Sequence, residues 1–503
     1  MAKSRKTSVN RRGFLKGAAV SAAAGATAMV TGLPVAEAQA PAQATPGARG
    51  QATGAPAPTA EQIARDAGDA RPPATVRAVN RPGSDLMVQV LKDMGVEYAA
   101  ANPGSSFEGF QESCINYGAP PNVSPEWITA LHEESSVTMA HGYAKATGKP
   151  MAAVLHGTIG IQHAAMSIYQ AYHGRVPILM IAGRDIPFIA QHSAADMAGM
   201  VRSFTKWDAL PKTLPESLTA LQEAYRQAIT PPMGPTLVVL DIELQKEEAG
   251  SLAVPKYTPP TFPTVDATRV REIAQGLVNA QNPRVAVGRL RTPEGVKLAV
   301  QLAELLGATT STSATGGPMS FPQRHPLQGP GADTNYDYTL GLETNGAQAS
   351  IVGPALATIT AERDIAKIGF NGIQGAGGGG GRGGRGGGGG NTAITADAEA
   401  SLPLIIAEVQ RLLTADKRRL IADRTAKHAV ANQTARVEAI KAAVEGKRAG
   451  WDGSPVSTAR VYAELWPLIM NEDWCLSSPS SFSGGHHAQL WDHNKPWSYL
   501  GGQ

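Results

Sequence analysis

Cysteine is nearly absent from this sequence: its 503 residues hold only Cys114 and Cys475. The two fall in different predicted domains, which excludes a disulfide framework, and both are expected as free, buried thiols. An excess of either charge is also missing. Charged residues make up 17% of the chain and the formal net charge is +3. Residues 1–40 hold six basic side chains (Lys3, Arg5, Lys6, Arg11, Arg12, Lys16) and one acid, Glu37, so the rest carries 39 basic against 41 acidic residues. A body so close to neutral offers no basic surface for a nucleic acid. Long apolar runs are lacking too, since the stretch from Gly17 to Val30 is too short and too rich in Ala and Gly to span a membrane. What is present, 42% apolar residues, suffices for about three soluble domains of ordinary size.

The N-terminal segment has the layout of an address. Asn10-Arg-Arg-Gly-Phe-Leu-Lys16 precedes the mild apolar run, and small-residue sites follow at Ala36-Glu-Ala38 and Ala38-Gln-Ala40. This order reads as a twin-arginine signal over residues 1–40, which implies handling by the twin-arginine translocase and a bacterial periplasmic destination. Residues 41–81, rich in Ala, Pro, Gly, Thr and Gln, cannot bury enough surface to offset the entropy of ordering and are expected as a disordered linker. Folding is expected to begin near Pro82, with a helix from Ser84, a candidate N-cap, to Gly95.

Residues 131–150 then place the paired acids Glu133 and Glu134 at the start of a helix expected to pack tightly at Ala140, Gly142 and Ala144. Paired acids in a first turn answer the helix dipole; one of them can instead serve chemistry. Met151 to Asp185 reads as an apolar strand, a glycine-bearing turn, a small-residue helix and a second apolar strand, a βαβ unit. After the proline-rich Pro255–Pro263, a helix (Thr268–Ala280), a strand (Arg284–Gly288) and a helix (Thr292–Gly307) repeat the alternation. A further strand is expected over Ile365–Phe370. The fold class is therefore α/β, with Rossmann-like, doubly wound parallel sheets. The glycine tract 372–390, broken only by Ile373, Gln374, Ala376, Arg382 and Arg385, is expected to loop into solvent. Its two arginines are too few for a nucleic-acid tail.

The run H-E-x-x-x-x-x-M-A-x-G-Y-A-x-A-T-G-K-P, from His132 to Pro150, resembles the helix that carries the invariant acid of thiamine diphosphate enzymes of the acetolactate synthase and benzoylformate decarboxylase superfamily. Val96–Ser106, Met151–Asp185, Phe204–Trp207 and Gly234–Asp241 resemble the family's flanking segments in the same order, and Phe321–Gly329 its F-P-x-x-H-P-L-x-x-G loop. The resemblance implies a pyrimidine-binding domain over 82–250, a central domain over 262–415 carrying the 372–390 insert, and the opening of a diphosphate-binding domain over 453–503, incomplete after a helix and a strand (Asp473–Ser477).

It further implies that Glu133, not Glu134, activates thiamine diphosphate by holding a proton at the aminopyrimidine ring, and that Pro103, Gly104 and Gly157 touch the cofactor. Asn102-Pro-Gly-Ser105 and Leu155-His-Gly157 resemble the benzoylformate decarboxylase branch, which gives Ser105 to the substrate carboxylate and His156 to proton relay. By their own residue types Ser105 could equally cap a helix and His156 close a strand. His163, inside the small-residue helix, is not expected to act. FAD is not expected on this reading, because Gly288-Arg289-Leu290-Arg291 lacks the G-x-G-x-x-G of a dinucleotide turn and reads as a βα turn with solvated arginines.

The family's G-D-G…N-N motif, whose acid and asparagine hold magnesium, has no counterpart here, so no metal ligand is assigned in this chain and Mg2+ is expected outside it. Three readings stay open. The chain is the pyrimidine-domain component of a split or homo-oligomeric 2-oxo acid decarboxylase or carboligase, with the diphosphate domain on a second subunit; or a truncated, inactive copy; or a binding protein for a small anion or partner.

Overall fold

The computed structural model describes residues 59–66, 80–117, 125–185, 192–288, 290–312, 321–343, 356–360, 392–446, 450–477 and 486–500. The signal segment, the glycine tract, Arg289 and the strand expected at 365–370 lie outside them. Within the expected linker one short helix does form, α1 (Ala60–Asp66), with Ile63 exposed. It winds without burying an apolar face, which is why no apolar period marks it.

From residue 76 onward the chain is one compact unit, and it contains two parallel sheets. In chain order the first is built by α2 (Gly83–Asp93), β1 (Tyr98–Ala101), α3 (Glu108–Asn116), β2 (Glu126–Thr129), α4 (Glu133–Thr147), β3 (Ala152–Leu155), α5 (Gly157–His173), β4 (Ile178–Arg184), β5 (Trp207–Ala209), α6 (Leu214–Ile229), β6 (Pro235–Asp241) and α7 (Ile242–Lys246). The strand order is β2-β1-β3-β4-β6-β5, parallel throughout.

Alternation along the strands sends side chains to both faces, each covered by helices. Ala99, Ala101, Val154, Leu179, Ile181 and Leu240 pack with Leu91 of α2, Phe110 of α3 and Leu218 of α6. Ala100, Leu155, Met180 and Val239 pack with Val137 and Ala140 of α4 and Ile161 and Ile168 of α5. Burial of each such large side chain contributes roughly 1.5–3 kcal/mol.

Local details differ from the sequence expectations in two places here. Pro82, not Ser84, stands at the N-cap of α2; Ser84 is buried and its Oγ lies 2.8 Å from Ser113 Oγ. Gly142 faces open space on α4, while Ala140 and Ala144 make the tight contact.

The second sheet follows with α8 (Ala267–Asn279), β7 (Pro283–Val287), α9 (Pro293–Leu306), β8 (Thr309–Thr312), β9 (Tyr338–Leu342), β10 (Leu356–Thr360), β11 (Thr392–Thr395) and α10 (Ala398–Leu412). Its order is β11-β10-β9-β7-β8, again all parallel. Thr292 caps α9 through the Gly295 N–H and Gly307 ends it in a left-handed turn, which a glycine adopts without strain. Arg291 is not solvated: it lies against Asp397 (2.8 Å) and Glu399 (3.7 Å), tying the turn after β7 to α10.

Beyond it, α11 (Ala415–Gly446) runs for 32 residues and escaped the sequence reading. The segment Asp473–Ser477 forms a single bridge, Leu476 with Tyr499, in place of a strand, next to α12 (Thr458–Ile469) and α13 (His486–Leu490). Cys114 is buried, but Cys475 is exposed.

Candidate active site

In the first sheet the winding reverses between β1 and β3. Doubly wound sheets bind ligands in the crevice outside the carboxyl ends of their strands at such a switch point. Two loops leave those ends, 102–106 after β1 and 156–157 after β3, and beside them β2 leads through 130–132 into α4.

Glu133 is the first residue of α4 and only 2% exposed. His132 is its N-cap, with an extended backbone and Nδ1 accepting the Glu134 N–H at 3.2 Å. Across the crevice His163 of α5 meets the carboxylate, Nδ1 to Oε2 3.0 Å, while its own side chain is 46% exposed. Gly160 makes the space: a Cβ there would stand 2.9 Å from Glu133 Cγ and 3.1 Å from Oε1. Burial pushes the Glu133 carboxyl up, yet hydrogen bonds from His163, its own N–H and Asn102, with the His163 charge, outweigh that and hold it below the usual glutamate range. The buried group is therefore a carboxylate at neutral pH. Glu134 is exposed.

His156 follows β3 and lies in a hydrogen-bonded row. Its Nδ1 is 3.0 Å from Ser106 Oγ and its Nε2 is 3.0 Å from His192 Nδ1. Burial first, then the neighbouring His192, push this imidazole below its ordinary value, against the pull of Asp185 and Glu133. The shift favours the neutral ring, both of whose nitrogens are engaged in the row.

The glycines around it are spatial necessities. A Cβ on Gly104 would run into the His156 ring, and Gly157, at φ +45°, would collide with the His192 carbonyl, which accepts the Thr158 N–H at 2.7 Å. Buried Gln245 of α7 holds the first loop by donating to the Ser106 carbonyl at 3.0 Å.

The fold thus brings Glu133, His156, Gly104 and Gly157 to one crevice, with Pro103 and Ser105 exposed on its rim. The hydroxyl on His156 belongs to Ser106, one position beyond the serine singled out in the sequence, and Ser106 is fully buried. His163 and His192 were missed. For His163 a signal existed: 156, 160 and 163 share one helical face, and a glycine at 160 opens that face toward a neighbour. His192 reaches the site from a loop and carries no such signal.

Residues 81–198 match the family described as thiamine pyrophosphate enzyme, N-terminal TPP binding domain. The chain is 27% identical over 247 residues to the acetolactate synthase large subunit of Haemophilus influenzae, covering 46% of this chain and 42% of that protein. It is 25% identical over 246 residues to the benzoylformate decarboxylase of Pseudomonas aeruginosa, covering 47% and 45%. The matches therefore span less than half the length of these relatives. The solved structure of the thiamine diphosphate-dependent 4-hydroxybenzoylformate decarboxylase of Rhodococcus jostii superposes with a TM-score of 0.59 at 17% identity, over 84% of this chain and 75% of that one, a likeness of fold.

Proposed function

The chain belongs to the thiamine diphosphate-dependent enzyme superfamily, and on that premise we propose that it supplies the pyrimidine-side half of an active site that acts on small 2-oxo acids, by decarboxylation or carboligation. The observation that carries this reading is the buried, ionised Glu133 at the switch-point crevice, with the Cβ-less Gly160 beside its carboxylate. The residues fit the cofactor's pyrimidine end: Glu133 would hold the ring nitrogen, with Oε2 fixed by His163. Thiamine diphosphate, when bound, supplies the electron sink that 2-oxo acid cleavage requires.

The chain's own side chains bind and move protons. Glu133 holds a proton at the pyrimidine ring. His156, neutral between Ser106 and His192, accepts or returns one on the substrate side. Ser105, exposed at the rim, is assigned to the substrate carboxylate.

The diphosphate and its magnesium ion are assigned to a second subunit. The helices α4 and α5 pack on each other, and Met139, Met166 and, just before α4, Leu131 are exposed on or beside them.

The test is a pair of variants in the assembly that proves active. Glu133→Gln keeps shape and hydrogen bonding but removes the charge, and should lower both cofactor proton exchange and turnover by orders of magnitude with folding barely changed. Glu134→Gln, about 100° around the helix, should be nearly silent. Full activity of both would sink the assignment.

A further inference from the structure

Residues 492–500, just after α13, touch several distant parts of the chain within a short run. At one end Asp492, its side chain 9% exposed, is held between two guanidinium groups: that of Arg324, and that of Arg436 in α11, whose Nη2 lies 2.9 Å away. The main chain follows the same track. Gln323 donates its N–H to the His493 carbonyl at 3.3 Å and Arg324 donates its N–H to Asn494 Oδ1 at 2.9 Å, while Arg436 Nη1 donates to the Gln323 carbonyl at 3.2 Å. At the other end Leu476 donates to the Ser498 carbonyl at 2.9 Å, and Leu500 donates to the Leu476 carbonyl at 3.0 Å.

Between these two anchored ends stands Trp497. Its φ is +64°, a left-handed conformation that a bulky residue holds only where its surroundings over-determine it. Two surroundings do so. The indole packs against the core of the second sheet, and it also meets the end of α4, where a Cβ on the C-cap Gly148 would lie 3.5 Å from Trp497 Cζ2. One ring thus bridges a helix of the first sheet and the core of the second.

That helix is the one whose first residue is Glu133. Its 15 residues make a rod about 22 Å long, and a rod held at one end cannot turn or slide freely at the other.

We propose that residues 492–500 form a strap that locks α4 to the second sheet, with Asp492 as its anchor and Trp497 as its key. Releasing the strap loosens α4, so the segment after α13 sets how firmly the helix of Glu133 is held. The anchor is sensitive because Asp492 separates two cations: without its charge, Arg324 and Arg436 face each other uncompensated. No ligand enters this inference, which therefore stands apart from the cofactor reading.

Hydrogen–deuterium exchange of the full chain, read by mass spectrometry, is the test. Peptides from α4 report the strap, and peptides from α6, on the opposite face of the first sheet, serve as the control. Trp497→Gly relieves the left-handed backbone and removes the ring, so amides of residues 137–147 should exchange at least about tenfold faster while α6 stays unchanged. Asp492→Asn keeps the side-chain shape and alters only the far end of the strap, yet it should speed the same amides at least about threefold. A merely local contact of Trp497 would not respond to it. Should Trp497→Gly fail to fold by circular dichroism, Trp497→Leu, which keeps apolar bulk but is too short to bridge to Gly148, takes its place. Unchanged α4 exchange in either variant, or an equal rise in α6, would overturn the strap.

Discussion

His163 Nδ1 lies 3.0 Å from Glu133 Oε2 although 30 positions separate them in the chain. The contact exists because β2 and β3 flank β1 in the sheet, so the helices that follow them lie side by side over one face. A carboxylate at a helix start would otherwise turn to solvent. Here it is turned inward, and its ionisation is held by a ring from the neighbouring helix.

Gly160 should be the most sensitive small residue of the crevice. Alanine there gains about 1 kcal/mol of helix propensity, but its Cβ would press on Glu133 Cγ at 2.9 Å and on the Leu155 carbonyl carbon at 3.2 Å. Stability of Gly160→Ala should therefore change little, while hydrogen exchange at the cofactor's reactive carbon, followed by NMR in the active assembly, should slow at least about tenfold. An unchanged exchange rate would show that Glu133 tolerates displacement.

The two adjacent serines should separate binding from structure. Ser106→Ala removes a buried hydroxyl from His156 and should cost about 1–3 kcal/mol in denaturant unfolding. Ser105→Ala, at an exposed position, should leave stability within about 0.5 kcal/mol and raise KM for the 2-oxo acid. A fall in stability without any change in KM for Ser105→Ala would transfer its role to Ser106.

Acid should loosen the C-terminal region first. His493 is buried against His487 (3.1 Å) and Trp474, and burial, then the neighbouring His487, pull its imidazole from 6.5 down to about 4. The unfolded chain takes up this proton below pH 6.5 and the folded chain does not until about pH 4. Stability is therefore lost as pH falls through that window, by up to about 3 kcal/mol. Trp474 and Trp491 fluorescence during urea unfolding at pH 7 and pH 4.5 measures it. His493→Gln, which cannot titrate, should flatten the difference.

Export through the twin-arginine route is proposed from Arg11 and Arg12. Changing both to lysine keeps the charge and loses the guanidinium pair, so the protein should accumulate in the cytoplasm. Undiminished periplasmic protein by fractionation would remove the proposal.

Much of the fold was legible because its signals are local. Apolar runs 151–155 and 178–183 mark β3 and β4, Thr292 and Gly307 bracket α9, and Asp397 caps α10. The long helix α11 was not legible because its anchors are polar and distant. Its buried residues are His428 and Asn432, which bind the backbone of Ala332, Gly331 and Pro326. Arg424 likewise donates to the carbonyls of Ala280 and Gln281. No apolar stripe remains to be read.

The sequence by itself determined the α/β alternation, the resemblance that singles out Glu133, and the loops that carry Gly104, His156 and Gly157, since each depends on residue types within one short segment. Tertiary structure alone decided which hydroxyl meets His156, that His192 closes the row behind it, and that His163 and Gly160 shape the surroundings of Glu133. These relations join residues 30 to 50 positions apart, and only the order in which strands enter a sheet fixes which distant side chains become neighbours.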